Sequence, residues 1–226
     1  MMTTRLRNFG LFTLFIAVLG IGALNAQAET VAVGASTGSD AATSTEINVA
    51  DVMKDRVLGD PSAPVTVIEY ASMTCMHCAN FHNTVLPYVK SDLIETGKVK
   101  LIYRDFPLDA VALRASMMAR CAPEDKYFNL LEVLFANQKR WVGAADPVQA
   151  MAKLGKLAGL SDARLSACLR NTDLETEILK SRQNASAAYK VSSTPTFIFN
   201  DGAAIESGVI PIEDFKKIVE KVAAAR

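Results

Sequence analysis

Two cysteines separated by two residues, Cys75 and Cys78, are the side chains of this sequence best suited to chemistry. They follow an apolar, β-branched run at 65–70, which predicts a buried strand, and they precede apolar residues at helical spacing. At a helix start, unpaired amides and the helix dipole favour a thiolate on Cys75, whereas Cys78, one turn further in, is expected to be buried. The spacing therefore predicts thiol–disulfide exchange, with Cys75 as nucleophile and Cys78 as resolving thiol. A purely structural disulfide is the alternative.

Two neighbouring polar residues are candidates for assisting this chemistry. His77 can add a hydrogen bond or a positive charge to the Cys75 thiolate, although an exposed histidine without a role is the alternative. Glu69 lies in an otherwise apolar strand, where burying a carboxylate is costly unless it has a partner or a task. The alternative for Glu69 is a position at the strand end that reaches solvent.

The N-terminal residues predict export. Arg5 and Arg7 precede an apolar run at 9–24 and the triplet Ala26-Gln27-Ala28, a pattern typical of a signal peptide covering 1–28. A membrane anchor is the alternative, but the run is shorter than the roughly 20 residues that span a bilayer. We therefore expect cleavage after Ala28 and an exported, soluble mature protein.

The remaining chain is expected to contain one domain. Residues 29–48 are rich in Ala, Ser, Thr and Gly, which predicts a flexible linker, and residues 49–226 suffice for a single core. The formal net charge of the chain is zero, so the composition does not suggest nucleic acid as a partner.

The cysteine count supports two disulfide pairs. The chain has four cysteines, and in an exported protein an even number favours pairing, here Cys75 with Cys78 and Cys121 with Cys168. Cys121 and Cys168 fall on separate predicted helices, where a structural bridge would link them. Two buried free thiols are the alternative.

The order of predicted elements is βαβ, a helical block, then ββα. Strand patterns lie at 65–70, 99–103 and 196–200, and a turn at 200–202 leads to a short strand near 203–206. The long intervening stretch has only helical patterns, at about 109–121, 125–138, 147–158, 162–170 and 173–189. A last amphipathic helix opens at Pro211.

These motifs together resemble the DsbA family of periplasmic disulfide oxidases. The resemblance covers essentially the whole of 49–226 and rests on Glu69, Cys75-Met76-His77-Cys78, the run at 103–108 and Thr194-Pro195. It implies an α/β thioredoxin-like fold, a mixed sheet flanked by helices, with an all-helical domain inserted at about 107–189. Met76 departs from the family pattern, since the best-known members have proline there, and this leaves the oxidising power open.

The resemblance also implies roles for individual residues. It makes Cys75 the nucleophile, Cys78 the resolving thiol, Glu69 a buried acid that relays protons, and Pro195 a cis-proline that follows Thr194 and faces the disulfide. It implies no bound cofactor, a monomer, and reduced or unfolded exported proteins as substrates. Reoxidation would then require a quinone-linked membrane protein of the DsbB type.

Two other functions are compatible with the sequence. A disulfide isomerase or reductase of the same fold would use the same cysteines, because the reduction potential decides the direction of exchange. A periplasmic copper-binding or copper-delivery module would instead use the sulfur and imidazole groups at 75–78 together with His82. The backbone at a helix start makes it difficult for all of these side chains to reach one ion.

Overall fold

The computed structural model describes residues 46–225. The predicted signal peptide and all but the last three residues of the predicted linker therefore lie outside the described residues. The strands form one five-stranded sheet in the order β1-β3-β2-β4-β5. Their bounds are β1 Arg56–Leu58, β2 Val65–Ala71, β3 Val99–Asp105, β4 Thr196–Phe199 and β5 Ala204–Ser207. Only β2 and β3 are parallel, so the sheet is mixed, as predicted.

Helices precede, connect and follow these strands. Those outside the β3–β4 connection are α1 Val49–Val52, α2 Met76–Asn80, α3 Leu86–Val89 and α10 Ile212–Ala224. The β3–β4 connection contains α4 Ala110–Arg120, α5 Tyr127–Ala136, α6 Gln138–Val142, α7 Pro147–Leu157, α8 Asp162–Leu169 and α9 Thr172–Tyr189. This connection confirms the predicted helical insertion. The short α6 and the edge strand β1 are absent from the sequence prediction, because segments of five and three residues show no usable periodicity.

The side-chain alternation of β2 decides which residues face the active-site helices. Val65, Val67 and Glu69 lie on one face of the sheet, whereas Ile68 and Tyr70 lie on the other. The first face packs against the segment that begins at α2 and against α10. Glu69 is therefore directed toward the element that carries the cysteines.

The segment from Met76 to Ile94 is helical with two widened turns. The π-helical stretches Phe81–Val85 and Lys90–Ile94 flank α3. Pro87 lacks an amide hydrogen, and its ring clashes with the carbonyl four residues earlier, which disfavours a regular α-helix at this point. Pro87 lies in the first turn of α3, and a widened turn immediately precedes that helix.

The helical insertion has its own buried core, which is continuous with the carboxyl ends of β2 and β3. Met117, Leu131 and Trp141 are fully or almost fully buried there, and Cys78 and Tyr103 belong to the same cluster. The insertion thus packs directly on the cysteine site. Within residues 46–225, no helix combines the length and apolar character needed to cross a bilayer.

Candidate active site

Cys75 is the N-cap residue of α2. Its amide donates to the Ser72 carbonyl at 3.1 Å, which closes the turn after β2, and its own backbone is extended (φ −73°, ψ 120°). Helical geometry starts at the next residue, so the Cys75 sulfur lies beside the free amides of the first turn. Both active-site cysteines are free thiols here, Cys75 partly exposed and Cys78 buried. The structure thus brings the two predicted cysteines together with the predicted difference in exposure.

Hydrogen bonding stabilises the Cys75 thiolate. The largest contribution is the hydrogen bond from the Cys78 thiol; partial burial opposes it, and Thr194 and the backbone amides of Cys78 and His77 add to it. The net effect lowers the Cys75 pKa to about 5. Cys75 is therefore a thiolate near neutral pH, which is the nucleophilic form of cysteine.

The environment of Cys78 has the opposite effect. Burial is the main cause that raises the Cys78 pKa, and the hydrogen bond to Cys75 and the nearby Glu69 carboxylate raise it further. Cys78 consequently remains protonated across the physiological range, and it must lose its proton before it can attack a disulfide.

Thr194 and Pro195 form the other side of the site. The peptide bond between them is cis, and the protonated Cys75 sulfur donates to the Thr194 carbonyl at 3.2 Å. A thiolate cannot donate, so this hydrogen bond requires the protonated form of Cys75, while Thr194 lies close enough to contribute to the lowered Cys75 pKa. The Thr194 hydroxyl oxygen is buried and has no hydrogen-bond partner among the described residues.

Glu69 is fully buried and is paired with His82. The His82 Nε2 atom lies 3.0 Å and 3.2 Å from the two carboxylate oxygens of Glu69. On the neighbouring strands, Tyr103 and Phe197 lie directly beside Glu69. An acid in an apolar strand predicts a partner for Glu69, but the sequence pointed to His82 only as a candidate metal ligand. Its spacing of four residues after Cys78 was a usable signal, because it places both side chains on one helical face.

The helical insertion holds the loop before Cys75 in place. The Gln138 side-chain amide donates to the Met73 and Cys75 carbonyls, each at 2.9 Å. On the other side of the loop, the Thr74 hydroxyl donates to the Asp109 carboxylate at 2.6 Å, and that carboxylate also caps α4. Neither contact is predictable from local sequence patterns, since they join residues 35 or more positions apart.

The two residues between the cysteines are exposed. The Met76 side chain is 67% exposed, and the imidazole of His77 makes no hydrogen bond to sulfur within the described part of the chain. The contribution of His77 to the thiolate comes from its backbone amide. Both side chains line a cavity of about 600 Å³ that extends to Asn137 and Arg140 on the insertion.

The remaining two cysteines, Cys121 and Cys168, form a disulfide between the end of α4 and α8. Both are fully buried. As for metals, the region 46–225 contains no group of three or more His, Cys, Asp or Glu side chains with a metal-binding arrangement.

Comparisons with known proteins agree with this architecture. The family model described as Thioredoxin matches residues 51–221. The alpha-DsbA1 structure of Wolbachia pipientis superimposes with a TM-score of 0.70 at 28% identity, over 76% of this chain and 92% of that one. Among curated proteins, disulfide bond formation protein D of Bacillus subtilis is 26% identical, over 73% of this chain and 75% of its own length.

A relative in Rickettsia conorii, named as an inferred protein-disulfide oxidoreductase, is 29% identical over 74% of this chain. The chain spans about three-fifths of the length of the rickettsial relatives it matches. By the family model and the superposition on the Wolbachia structure, this chain belongs to the thioredoxin family, among its DsbA-like members.

Proposed function

We propose that this protein is a thiol:disulfide oxidoreductase that introduces disulfide bonds into exported proteins. The observation that carries the proposal is the opposite tuning of its two neighbouring thiols, with the Cys75 pKa lowered and the Cys78 pKa raised. A stabilised thiolate is a good leaving group, so a mixed disulfide at Cys75 is readily resolved toward the substrate. The reduced protein is then favoured over its disulfide, which is the condition for donating disulfides.

The proposed cycle transfers two electrons from substrate to protein. A substrate thiolate attacks the Cys75 sulfur, the Cys75–Cys78 bond breaks, and its electron pair passes to Cys78, which takes up a proton. A second substrate thiolate then attacks the substrate sulfur of the mixed disulfide, and Cys75 leaves as a thiolate. The substrate gains one disulfide and the protein becomes a dithiol.

The other site residues have supporting roles in this proposal. Glu69 relays protons to and from Cys78, while Thr194 stabilises the Cys75 sulfur, and Pro195 faces it from the opposing loop. The Cys121–Cys168 disulfide is structural, since it lies within the insertion and both residues are buried.

Location and partners follow from the chemistry. A disulfide donor needs an oxidising compartment, so we place the protein in the periplasm after cleavage of the predicted leader. Its substrates are reduced or unfolded exported proteins. A membrane quinone reductase of the DsbB type would accept the electrons, and cell fractionation with a tagged chain tests the location.

The decisive experiment is the reduction potential of the Cys75–Cys78 pair, measured by equilibration with glutathione. An oxidase is expected near about −120 mV, whereas about −270 mV marks a thioredoxin-type reductase. In parallel, the oxidised protein is mixed with a reduced test protein, and disulfide formation is followed. Cys75→Ser is expected to abolish this activity. A low potential combined with preferential reduction of disulfides would replace the proposal with the reductase function.

A further inference from the structure

His82 lies in the widened turn Phe81–Val85 and is almost completely buried, with a side-chain exposure of 2%. Its ring stacks on Phe135 of the insertion, with ring centroids 4.1 Å apart. The Nε2 atom contacts Glu69, whereas the Nδ1 atom is buried and has no hydrogen-bond partner in residues 46–225. Buried polar atoms without a protein partner are uncommon in folded proteins, so the surroundings of this nitrogen are of interest.

The same side chain borders the surface of the protein. His82 lines a cavity of about 440 Å³, together with Asn83, Leu86, Pro87, Lys90, Glu95, Glu132 and Ala136. This cavity adjoins the one beside Met76 and His77, and the two share Asn83 and Ala136 in their linings. His82 is therefore in contact with Glu69 on one side and with a surface cavity on the other.

Cys78 needs a proton route of this kind. In either direction of exchange its buried sulfur must gain or lose a proton, and the Glu69 carboxylate is near enough to influence that sulfur electrostatically. Glu69 itself is fully buried. A carboxylate enclosed in the core cannot exchange protons with solvent unless another group carries them.

We propose that His82 and Glu69 act as one proton-transfer pair, in which His82 links Glu69 to the cavity beside Lys90 and Glu132. When the Cys75–Cys78 bond breaks, Glu69 gives a proton to the Cys78 sulfur and is recharged through His82. During reoxidation the proton moves the other way, Cys78 attacks the Cys75 sulfur of the mixed disulfide, and the partner sulfur leaves with the electron pair. His82 acts through Glu69 and is thus a positioning residue. This inference rests on the proposed exchange at Cys75 and Cys78.

The ionisable surroundings of the pair are limited. Within the described structure, the titratable or charged groups that interact with the pair or line its cavity are Cys78, Tyr103, Tyr127, Lys90, Glu95 and Glu132. Of the cavity residues, Lys90 and Glu132 already form an ion pair with each other at 2.7 Å. His82 is the cavity residue that also hydrogen-bonds to Glu69.

The test separates the two exchange steps. Reduced protein is mixed with oxidised glutathione; the Cys75 mixed disulfide forms first, and Cys78 then releases glutathione. In His82→Gln, the amide can still hydrogen-bond to Glu69 but cannot carry a proton. We expect the rate of mixed-disulfide formation to change less than twofold. The rate of its resolution by Cys78 at neutral pH should fall at least tenfold, since positioned acid–base groups accelerate proton transfer steps by about 10²–10⁴-fold. The resolution rate of the variant should also rise more steeply with pH than that of the wild type.

Controls use the same turn and the other histidine. Thr84→Ala alters an exposed residue of the π-helical turn and should leave the rates of both steps within twofold of the wild type. His77→Gln should affect only the rate at which the mixed disulfide forms, if it has any effect. The inference would be overturned if His82→Gln released glutathione at the wild-type rate and with the wild-type pH dependence, or if both steps slowed equally.

If His82→Gln does not fold, the same two steps are measured in the wild type in heavy water. A solvent deuterium isotope effect confined to the release of glutathione supports the pair, and equal isotope effects on both steps refute it. Failure of the wild type to form the mixed disulfide would count against the proposed function instead.

Discussion

At the scale of single residues, burial separates two chemically identical thiols. Cys75 at the N-cap retains access to solvent and to amide donors, whereas Cys78 is enclosed by the sheet, the helix and the insertion. The amides and the neighbouring thiol favour charge on the first sulfur, and desolvation disfavours it on the second. One helical turn is therefore enough to distinguish a nucleophile from a resolving thiol.

This difference predicts selective alkylation. In the reduced protein, the rate of Cys75 alkylation by iodoacetamide should follow a titration with a midpoint near pH 5, because the thiolate is the reactive form. Cys78 should remain unlabelled at that pH. Peptide mapping by mass spectrometry after brief exposure checks both statements. Labelling of Cys78 with Cys75 spared at mildly acidic pH would reverse the assigned roles.

At the scale of elements, the short helix α6 and the active-site loop depend on each other. Gln138, which is buried, supplies hydrogen bonds to two carbonyls of the loop 73–75. No propensity argument identifies this contact, since the two elements are more than 60 residues apart. The insertion thus stabilises the extended backbone that Cys75 needs as an N-cap.

Replacing Gln138 by Leu is expected to destabilise the protein by about 2 kcal/mol, because the Met73 carbonyl loses its donor and the Cys75 carbonyl keeps only a backbone donor of α2. The matched control is Asn137→Ala, which removes an exposed amide that bonds only locally to Val133 and should change stability by less than about 0.5 kcal/mol. Urea denaturation of both variants measures the difference. Equal stability of the two variants would mean that the loop does not depend on α6.

At the scale of the whole molecule, the buried disulfide constrains the insertion. Cys121 and Cys168 are separated by 47 positions. For a loop of this length the chain-entropy model gives a stabilisation of about 4 kcal/mol. The double variant Cys121→Ala/Cys168→Ala should lose about this amount in urea denaturation and retain the Cys75–Cys78 potential within the precision of the measurement. A large shift in that potential would show that the bridge also tunes the active site.

The redox state should also change the stability of the whole molecule. The folded protein lowers the Cys75 pKa to about 5 from an unfolded value of about 8.5, so the reduced form gains stability that is fully present above pH 8.5 and is lost as pH falls toward 5. Cys78 is protonated in both states well below about pH 8.5 and does not contribute there; near and above that pH its raised pKa opposes the gain, because the thiol ionises more readily in the unfolded chain. Only the reduced protein carries this ionisation.

Thermal unfolding of the two redox forms, with Cys121 and Cys168 paired throughout, tests this linkage. The reduced form should melt higher near neutral pH, and its advantage should shrink steadily as the pH is lowered to 5. Cys75→Ser, which has neither the thiolate nor the active-site disulfide, should show no such pH-dependent difference under reducing and oxidising conditions. A reduced form that melts lower at every pH would instead indicate a reductase.

The sequence by itself determined the local features. The apolar strand at 65–70, the Cys75–Cys78 spacing and the helical periodicities of the insertion predict the fold, because each is encoded in a short window of residues. The buried acid, Glu69, was also identifiable, since burying a carboxylate in an apolar strand costs free energy unless the group has a partner or a task. The element order then restricts the topology to few arrangements.

Only the tertiary structure decided which distant residues meet. His82 pairs with Glu69, Gln138 holds the active-site loop, and β1 adds to the sheet beside β3; each of these contacts joins residues 13 or more positions apart. The tuning of the Cys75 and Cys78 thiols also depends on burial and hydrogen bonds that form only when sheet, helix and insertion pack together. Chain sequence specifies propensities over a few residues, whereas desolvation and pairing are properties of the assembled core.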